Sequence, residues 1–284
     1  MNMRRSVVYL TLIAFSLSAC NLPVFQATPV PSATPAQVAT SAPVATPTDE
    51  SAGPPEAIYI FSPGPSSMLV SPVTITGQAN PTFEQNLVVA IYDESGTQLA
   101  LEPTTIQADV GQRGSFSIEL EFSVSSQQAG RIAVYSTSAM DGGLVHLNSV
   151  DVVLMPSGEA QITTPSQQAE SIQIELPANG AQVSGGVITL TGYSDYYFES
   201  TLGMVLCGPG GSGEPHELCG SDDNILASGP VMIQSPDIGQ PGPFQVKISY
   251  SVSEATPARL VLFATSPRDG GFIHVVSVNI QLNP

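Results

Sequence analysis

The chain carries one sequence pattern twice, and this duplication constrains its fold more than any other feature. Residues 136–152, "STSAMDGGLVHLNSVDV", return as "ATSPRDGGFIHVVSVNI" at 264–280, and "VTITG" at 73–77 returns as "ITLTG" at 188–192. The offset between the copies is 115 residues at the second pair and 128 at the first, so the second copy carries an insertion of 13 residues. The duplication predicts two copies of one domain.

Each copy has the period of β-strands. In "SFSIELEF", residues 115–122, and "FQVKISY", residues 244–250, every second side chain is apolar, which predicts strands with one buried face. Roughly seven short strands in about 100 residues are typical of an immunoglobulin-like Greek-key sandwich. We therefore expect an all-β protein with tandem immunoglobulin-like domains at 57–155 and 171–284, joined by a linker at 156–170.

The N-terminus has the features of a secretory signal. Arg4 and Arg5 precede an apolar run at 7–18, which is too short to span a bilayer. "LSAC", ending at Cys20, resembles the lipobox of bacterial lipoproteins, although an ordinary signal peptide with an incidental cysteine is the alternative. The resemblance implies a signal peptide at 1–19, a lipid on Cys20 that anchors the protein to the membrane, and an extracytoplasmic location. Residues 20–56, rich in Pro, Thr and Ala, are predicted to form a disordered stalk.

The charge of the chain argues against nucleic acid as a partner. Removal of the signal leaves five of the seven basic residues against 24 acidic ones. Such a surface repels phosphate backbones.

Cys207 and Cys219 bracket the insertion in the second copy. In an oxidising exterior we expect them to form a disulfide. A zinc site that also uses His216 is the alternative, although four good ligands are not evident. Asp222 and Asp223 suit calcium less well than a solvated loop, because the regular spacing of a calcium loop is missing.

The repeated Asp-Gly-Gly-x-x-His pattern predicts a hairpin followed by a strand in each copy. Asp and Gly supply the positive φ of a tight turn. Each imidazole is expected on the inward side of its strand, where it donates to a backbone carbonyl or a serine hydroxyl; a ligand or ion site is the alternative. The residues concerned are Asp141, Gly142, Gly143 and His146 in the first copy, and Asp269, Gly270, Gly271 and His274 in the second.

We identify no catalytic residue, metal site or cofactor from the sequence, and we expect no enzyme. The histidines occupy matched positions without a G-x-S-x-G motif, and Glu119 and Glu121 alternate on an outward strand face. Tyr193, Tyr196 and Tyr197, in "GYSDYYFES", are the candidate ligand-binding residues, because tyrosines on loops suit recognition of a sugar or a protein. Packing of one or two of these rings over the end of the sandwich is the alternative.

Several motifs together resemble the immunoglobulin-like domain of bacterial spore germination proteins. They are the opening Ile-x-Ile, "VTITG" followed by Phe-Glu, the Phe of the fifth strand, and S-x-x-D-G-G near the end of each copy. The resemblance covers about residues 57–155 and 171–282 and implies an extracellular β-sandwich without catalytic residues. We therefore predict a non-catalytic surface lipoprotein that serves as a binding, adhesion or envelope-scaffold module, with an envelope protein or a glycan as candidate partner. The alternative is an accessory subunit of an envelope enzyme or a carbohydrate-binding system.

Overall fold

The computed structural model describes residues 54–165 and 169–284, and these residues form two β-sandwiches with three short 3-10 turns. The predicted all-β, immunoglobulin-like architecture is confirmed. The predicted signal peptide, Cys20 and the stalk up to residue 53 lie outside the described residues. Within the described ranges, no helix has the length and apolar character needed to cross a membrane.

The first sandwich consists of two sheets with immunoglobulin-like connectivity. One sheet has the order β1-β3-β6, the other has the order β5-β4-β7-β8, and β2 lies parallel to β8. The strands are β1 (Ile58–Ser62), β2 (Met68–Leu69), β3 (Val73–Ala79), β4 (Asn86–Tyr92), β5 (Gln98–Thr105), β6 (Gly114–Leu120), β7 (Gln128–Thr137) and β8 (Leu144–Leu154).

The second sandwich repeats this order. Its sheets are β9-β11-β16 and β15-β12-β17-β18, with β10 parallel to β18. The insertion adds the two-residue strands β13 and β14, which pair only with each other. The strands are β9 (Ile172–Leu176), β10 (Ala181–Val183), β11 (Val187–Ser194), β12 (Thr201–Cys207), β13 (Pro215–His216), β14 (Gly220–Ser221), β15 (Ile225–Met232), β16 (Gly242–Ser249), β17 (Thr256–Thr265) and β18 (Phe272–Leu282).

The alternating apolar side chains form the core of each sandwich. Phe116 and Leu120 of β6 are buried, as is Phe244 at the matched position of β16. Full burial of a side chain of this size stabilises the fold by about 1.5–3 kcal/mol. The inward faces predicted for β4 and β12 are also buried: Leu87, Val89, Ile91, Leu202, Met204 and Leu206.

The two sandwiches are joined edge to edge through their last strands. β8 and β18 pair antiparallel, with His274 opposite Asn148 and Val275 opposite Leu147, so that one sheet runs through both copies. The start of each strand is thus covered by the other copy, and its end is covered by β2 or β10. Pairing on both stretches leaves little open edge for aggregation.

A third hydrophobic cluster lies at this junction, separate from the two sandwich cores. It draws on β7, β8, β12, β17, β18 and the insertion: Ala133, Leu144, Leu147, Val205, Cys207, Leu218, Cys219, Val261 and Val275. All nine side chains are buried, so the contact between the copies resembles a permanent interface more than a transient one.

The linkers before each copy are shorter than predicted, because the last residues of each one belong to the folded body. Pro55 forms a β-bridge with Ala169, and the Glu170 amide donates to the Pro54 carbonyl at 2.8 Å. The prediction of disordered stalk through residue 56 is therefore wrong for Pro54–Glu56. Glu56 itself is 3% exposed, which excludes it from a solvated stalk.

Candidate functional site

Two glutamates and two histidines, one of each from each copy, meet where the sandwiches join. We call Glu56, His146, Glu170 and His274 the junction centre. The histidines lie near the start of β8 and β18, and each glutamate lies two residues before the first strand of its copy. The histidines are 128 residues apart and the glutamates 114, so the four side chains are related by the internal repeat.

The junction centre is compact. His146 Nε2 lies 2.9 Å from Glu56 Oε1, and His274 Nε2 lies 2.7 Å from Glu170 Oε1. The two crossed distances, from each Nε2 to the glutamate of the other copy, are 3.9 Å. One donor atom from each of the four residues lies within 4.8 Å of all the others, and the imidazole rings meet edge to face at 5.5 Å.

The junction centre is also largely buried. The side chains of Glu56 and His274 are each 3% exposed, and those of His146 and Glu170 are each 11% exposed. Two imidazole nitrogens and two carboxylate oxygens form a donor set that divalent transition metals use in proteins. His146 also borders a surface pocket of about 520 Å³, which Ala57, Ile58 and Arg259 line as well.

Burial and the neighbouring charges shift the pKa values of His274 and Glu170. Burial alone lowers the pKa of His274, but its hydrogen bond to Glu170 and the charges of Glu56 and Glu170 outweigh burial and raise it above 6.5. Burial raises the pKa of Glu170, yet the hydrogen bond from His274 and the charges of both imidazoles bring it below 4.5. When no other cation is bound, both shifts favour a protonated His274 imidazole next to an ionised Glu170 carboxylate.

The backbone around the junction centre fixes its carboxylates. The Ala57 amide donates to Glu170 Oε2 at 3.0 Å, so the first copy orients the glutamate of the second. Arg113 donates to the Glu56 carbonyl at 2.9 Å. The β-bridge described above holds the two segments side by side, and their glutamates consequently point to the same place.

These contacts correct the predicted role of the histidines. We expected each imidazole to donate to a carbonyl or a serine hydroxyl of the neighbouring strand, but each Nε2 faces a carboxylate from the segment before its own domain. The serines next to them bond across the copies instead. Ser149 donates to the Ile273 carbonyl and Ser277 to the Val145 carbonyl, each at 2.8 Å.

The Asp-Gly-Gly sequences form the hairpins before β8 and β18. Gly142 and Gly270 each have φ of 75°, a conformation that favours glycine. Within each hairpin the aspartate accepts from the amide of the second glycine: Asp141 from Gly143 at 3.0 Å, and Asp269 from Gly271 at 2.9 Å.

Each of these aspartates also forms an ion pair with an arginine of the other copy. Arg259 donates to both oxygens of Asp141, at 2.9 and 2.8 Å, and Arg131 donates to Asp269 at 3.1 Å. All four side chains are at most 3% exposed. The second glycine of each motif leaves room for the guanidinium, because a Cβ on Gly143 or on Gly271 would clash with it.

The two ion pairs differ in how well they are satisfied. Arg259 makes further hydrogen bonds to the carbonyls of Gly143, Leu144 and Leu218, at 3.2, 2.8 and 2.9 Å. Arg131 has buried Nε and Nη1 atoms without a partner among the described residues, and its guanidinium lies 5.7 Å from the ring of Tyr92. Among the described residues, the Arg259 guanidinium is therefore the better satisfied of the two, with one unpartnered buried nitrogen against two for Arg131.

The insertion supplies one of these extra carbonyls, that of Leu218. Cys207 and Cys219 form the predicted disulfide, which excludes the alternative that they bind zinc with His216. Residues 209–215 of the loop are exposed, but its C-terminal part is packed: the Leu144 amide donates to the Glu217 carbonyl at 2.8 Å, and Leu218 is 2% exposed. The insertion thus packs on the hairpin of the first copy, whereas Asp222 and Asp223 remain exposed on a 3-10 turn.

The three candidate tyrosines have different environments. Tyr193 lies in β11 rather than in the following loop and is 41% exposed, whereas Tyr196 is half-buried. Tyr197 packs against the core of the second sandwich, and this burial raises its pKa. The three rings therefore do not form one exposed surface.

Two exposed phenylalanines were not identified as candidates from the sequence. Phe83 and Phe198 occupy matched 3-10 turns and are 62% and 60% exposed. The residues after them, Glu84 and Glu199, have φ of 53° and 56°. This left-handed conformation is unfavourable outside glycine and is common at functional sites.

Much of the site left a signal in the repeat itself. Arg131 and Arg259 match each other in strands that are otherwise apolar, and a charged residue at such a position requires a partner. Glu56 and Glu170 also recur, each two residues before Ile-x-Ile. The pairing of these residues between copies had no signal, since the contact between β8 and β18 depends on shape and not on a motif.

Comparisons with known proteins identify the first copy. Residues 57–143 match the immunoglobulin-like domain of bacterial spore germination, and this part of the chain is such a domain. The second sandwich has the same strand order. Comparison with curated protein sequences gave no match.

Among solved structures, the similarities are distant. Red sea bream transglutaminase is 11% identical over 78% of this chain and 31% of that chain, with a TM-score of 0.26. Dimeric latent PorU from Porphyromonas gingivalis is 9% identical over 80% and 24%, with a TM-score of 0.22. The titin domains z1z2 in complex with telethonin are 12% identical over 81% and 96%, with a TM-score of 0.19. The chain spans less than a third of the first two proteins, and we draw no argument from scores this low.

Proposed function

We propose that the protein is a non-catalytic lipoprotein of the bacterial surface, anchored through Cys20, that binds an envelope protein or a glycan. In this proposal the two immunoglobulin-like domains act as one rigid binding unit and have no cofactor. The disulfide and the domain type are consistent with an oxidising, extracytoplasmic location.

The observation that carries the proposal is the pair of exposed phenylalanines, Phe83 and Phe198. A single exposed aromatic side chain is unremarkable, but here the same ring is presented twice on a backbone that adopts an unfavourable conformation. The carbonyls of Gln85 and Ser200, at the end of each turn, accept from the amides of Ile106 and Ile233 at 2.8 and 2.7 Å, which fixes the turns. Rigid aromatic side chains contribute strongly to recognition because little entropy is lost when they bind.

The test compares the purified protein with the variant Phe83→Ala/Phe198→Ala for binding to glycans and to isolated envelope fractions. Loss of an anchoring aromatic residue costs about 2 kcal/mol or more, so we expect binding to weaken by at least about 30-fold. Tyr193→Ala, measured in parallel, tests the exposed tyrosine that the sequence suggested.

The matched control is Val110→Ala/Ile238→Ala, which removes two apolar side chains that are 86% and 87% exposed, at matched turn positions of the two copies outside the 3-10 turns. This control should bind as the unmodified protein does. Unchanged binding by the phenylalanine variant, or no binding of the protein to any fraction, would refute the proposed surface. Binding confined to an envelope enzyme would favour the alternative of an accessory subunit.

The anchor is tested separately. Replacement Cys20→Ser should move the protein from the membrane fraction to the soluble fraction of expressing cells. Membrane retention of this variant would contradict lipidation at Cys20.

A further inference from the structure

We propose that the junction centre binds one divalent transition-metal ion, with zinc as the reference metal, and that this ion locks the two copies together. The proposal does not depend on the proposed binding function and replaces the expectation from sequence that the protein has no metal site. Among the described residues, the junction centre is the one group of three or more potential metal-ligating side chains that converge in this way.

The distances between the donor atoms fit a single small ion. Two ligands that each lie about 2.0–2.1 Å from a tetrahedral zinc ion are about 3.3–3.4 Å apart. The four measured distances between imidazole nitrogens and carboxylate oxygens are 2.7, 2.9, 3.9 and 3.9 Å, which bracket this value. Side-chain movements would bring the donors to the positions that zinc requires: the two short contacts lengthen, the two crossed contacts shorten, and the widest separation, up to 4.8 Å, closes by up to about 1.4 Å.

The charge of the junction centre fits a divalent ion as well. Two carboxylates are buried together, and keeping both of them ionised there requires two positive charges nearby. One divalent ion with two neutral imidazoles supplies these charges and gives a neutral cluster. Asp195 and the phenol of Tyr197 also face this region, and neither supplies a positive charge.

The position of the junction centre assigns the ion a structural role. Four protein donors leave no coordination position for water or substrate, which is the mark of a structural rather than a catalytic site. Because each copy provides one histidine and one glutamate, the ion would connect β8 with β18 and the segment before β1 with the segment before β9. Separation of the copies would then require the loss of two ligands.

The first experiment measures zinc binding to purified protein that has been stripped with a chelator. We expect one zinc ion per chain by competition with a chromogenic chelator. At a free zinc concentration about a hundredfold above Kd, the melting temperature should rise by about 5–10 °C. Cobalt(II) in place of zinc should give the intense visible absorption of tetrahedral coordination, which scattered surface carboxylates do not produce.

The second experiment uses Glu56→Gln/Glu170→Gln, which keeps the shape of both side chains and removes their charge. Since loss of groups that merely orient a metal ligand costs 10- to 100-fold in affinity, loss of two ligands should weaken zinc binding by at least about 100-fold. The matched control is Asp222→Asn/Asp223→Asn, which removes two exposed carboxylates of the insertion and should leave binding unchanged. His216→Gln, outside the junction centre, should also bind zinc normally.

Three results would overturn the proposal. They are absence of zinc binding by the unmodified protein, an octahedral cobalt spectrum, and equal zinc affinity in the glutamate variant and its control. If the glutamate variant does not fold, His146→Gln replaces it, since this single change removes one ligand at the partly exposed side of the junction centre. Undiminished affinity in that variant would be equally decisive against the site.

Discussion

The two ion pairs between the copies provide a sharp test, because Arg131 and Arg259 occupy equivalent positions and differ in their hydrogen bonds. We predict that Arg259→Met destabilises the protein much more than Arg131→Met. Methionine has a similar length and no charge, so each variant removes the guanidinium and leaves most of the packing volume filled.

The expected magnitudes follow from the contacts. Arg259→Met leaves Asp141 without its counter-charge and removes the hydrogen-bond donor to three backbone carbonyls. Breaking a buried ion pair of this kind lowers the free energy of unfolding by about 3–5 kcal/mol. Arg131→Met breaks a single hydrogen bond and removes two buried nitrogens that have no described partner. Asp269 also keeps Arg268 at 3.3 Å, so the loss should be at most about 2 kcal/mol.

Urea unfolding of the two variants at neutral pH measures the difference directly. If the protein unfolds in one cooperative step, the change in midpoint at constant slope gives the change in the free energy of unfolding. For a body of this size, the melting temperature should fall by about 6–20 °C for Arg259→Met and by less than about 8 °C for Arg131→Met. Equal losses, or a larger loss for Arg131→Met, would refute the assignment of unequal roles.

Three further predictions concern the same junction. Gly143→Ala should cost about 1–3 kcal/mol of unfolding free energy by calorimetry, because its Cβ would meet the Leu218 carbonyl, whereas Gly229→Ala, in open space, should change it by less than about 0.5 kcal/mol; similar values for both would contradict the packing described. Replacement of Cys207 and Cys219 by serine should lower stability by about 3 kcal/mol in urea unfolding, as expected for a loop of this length, and no loss would show that the insertion is held by packing alone. Burial raises the pKa of Asp269, but the Gly271 amide and Arg131 outweigh burial and hold it below 3.8, so its contribution to stability is complete above that pH and is lost as the pH falls through the lowered value. Acid titration of the unfolding free energy should therefore show a fall that is smaller in Asp269→Asn, and identical curves would exclude this role.

The architecture of each copy could be predicted from the sequence because it depends on local patterns. Alternating residues such as Phe116 and Leu120 specify which face of a strand is buried, and the hairpin glycines specify where the chain turns. The disulfide followed from the oxidising compartment and the position of Cys207 and Cys219 on either side of the insertion. None of these inferences requires knowledge of what the second copy contacts.

The junction could not be predicted in the same way. Edge-to-edge pairing of β8 with β18 leaves no periodic signal, because either strand could equally well face solvent at its edge. The sequence predicts that Glu56 belongs to the stalk because it follows a Pro-rich stretch. Its burial depends on the segment around Glu170, which lies more than 100 residues further along the chain. The sequence correctly predicts that the histidines lie on these strands. Their carboxylate partners, Glu56 and Glu170, lie just before the predicted starts of the two domains.

A contact with two-fold symmetry between identical chains repeats every feature on both sides of its axis. Here the two copies belong to one chain, and only the second carries the insertion. The Leu218 carbonyl lies against Arg259, whereas Arg131 and Tyr92 border a cavity of 340 Å³ that Glu217 of the insertion also lines. Because only one copy carries the insertion, the two sides of the junction are packed differently. A symmetric dimer of two identical subunits could not have this difference.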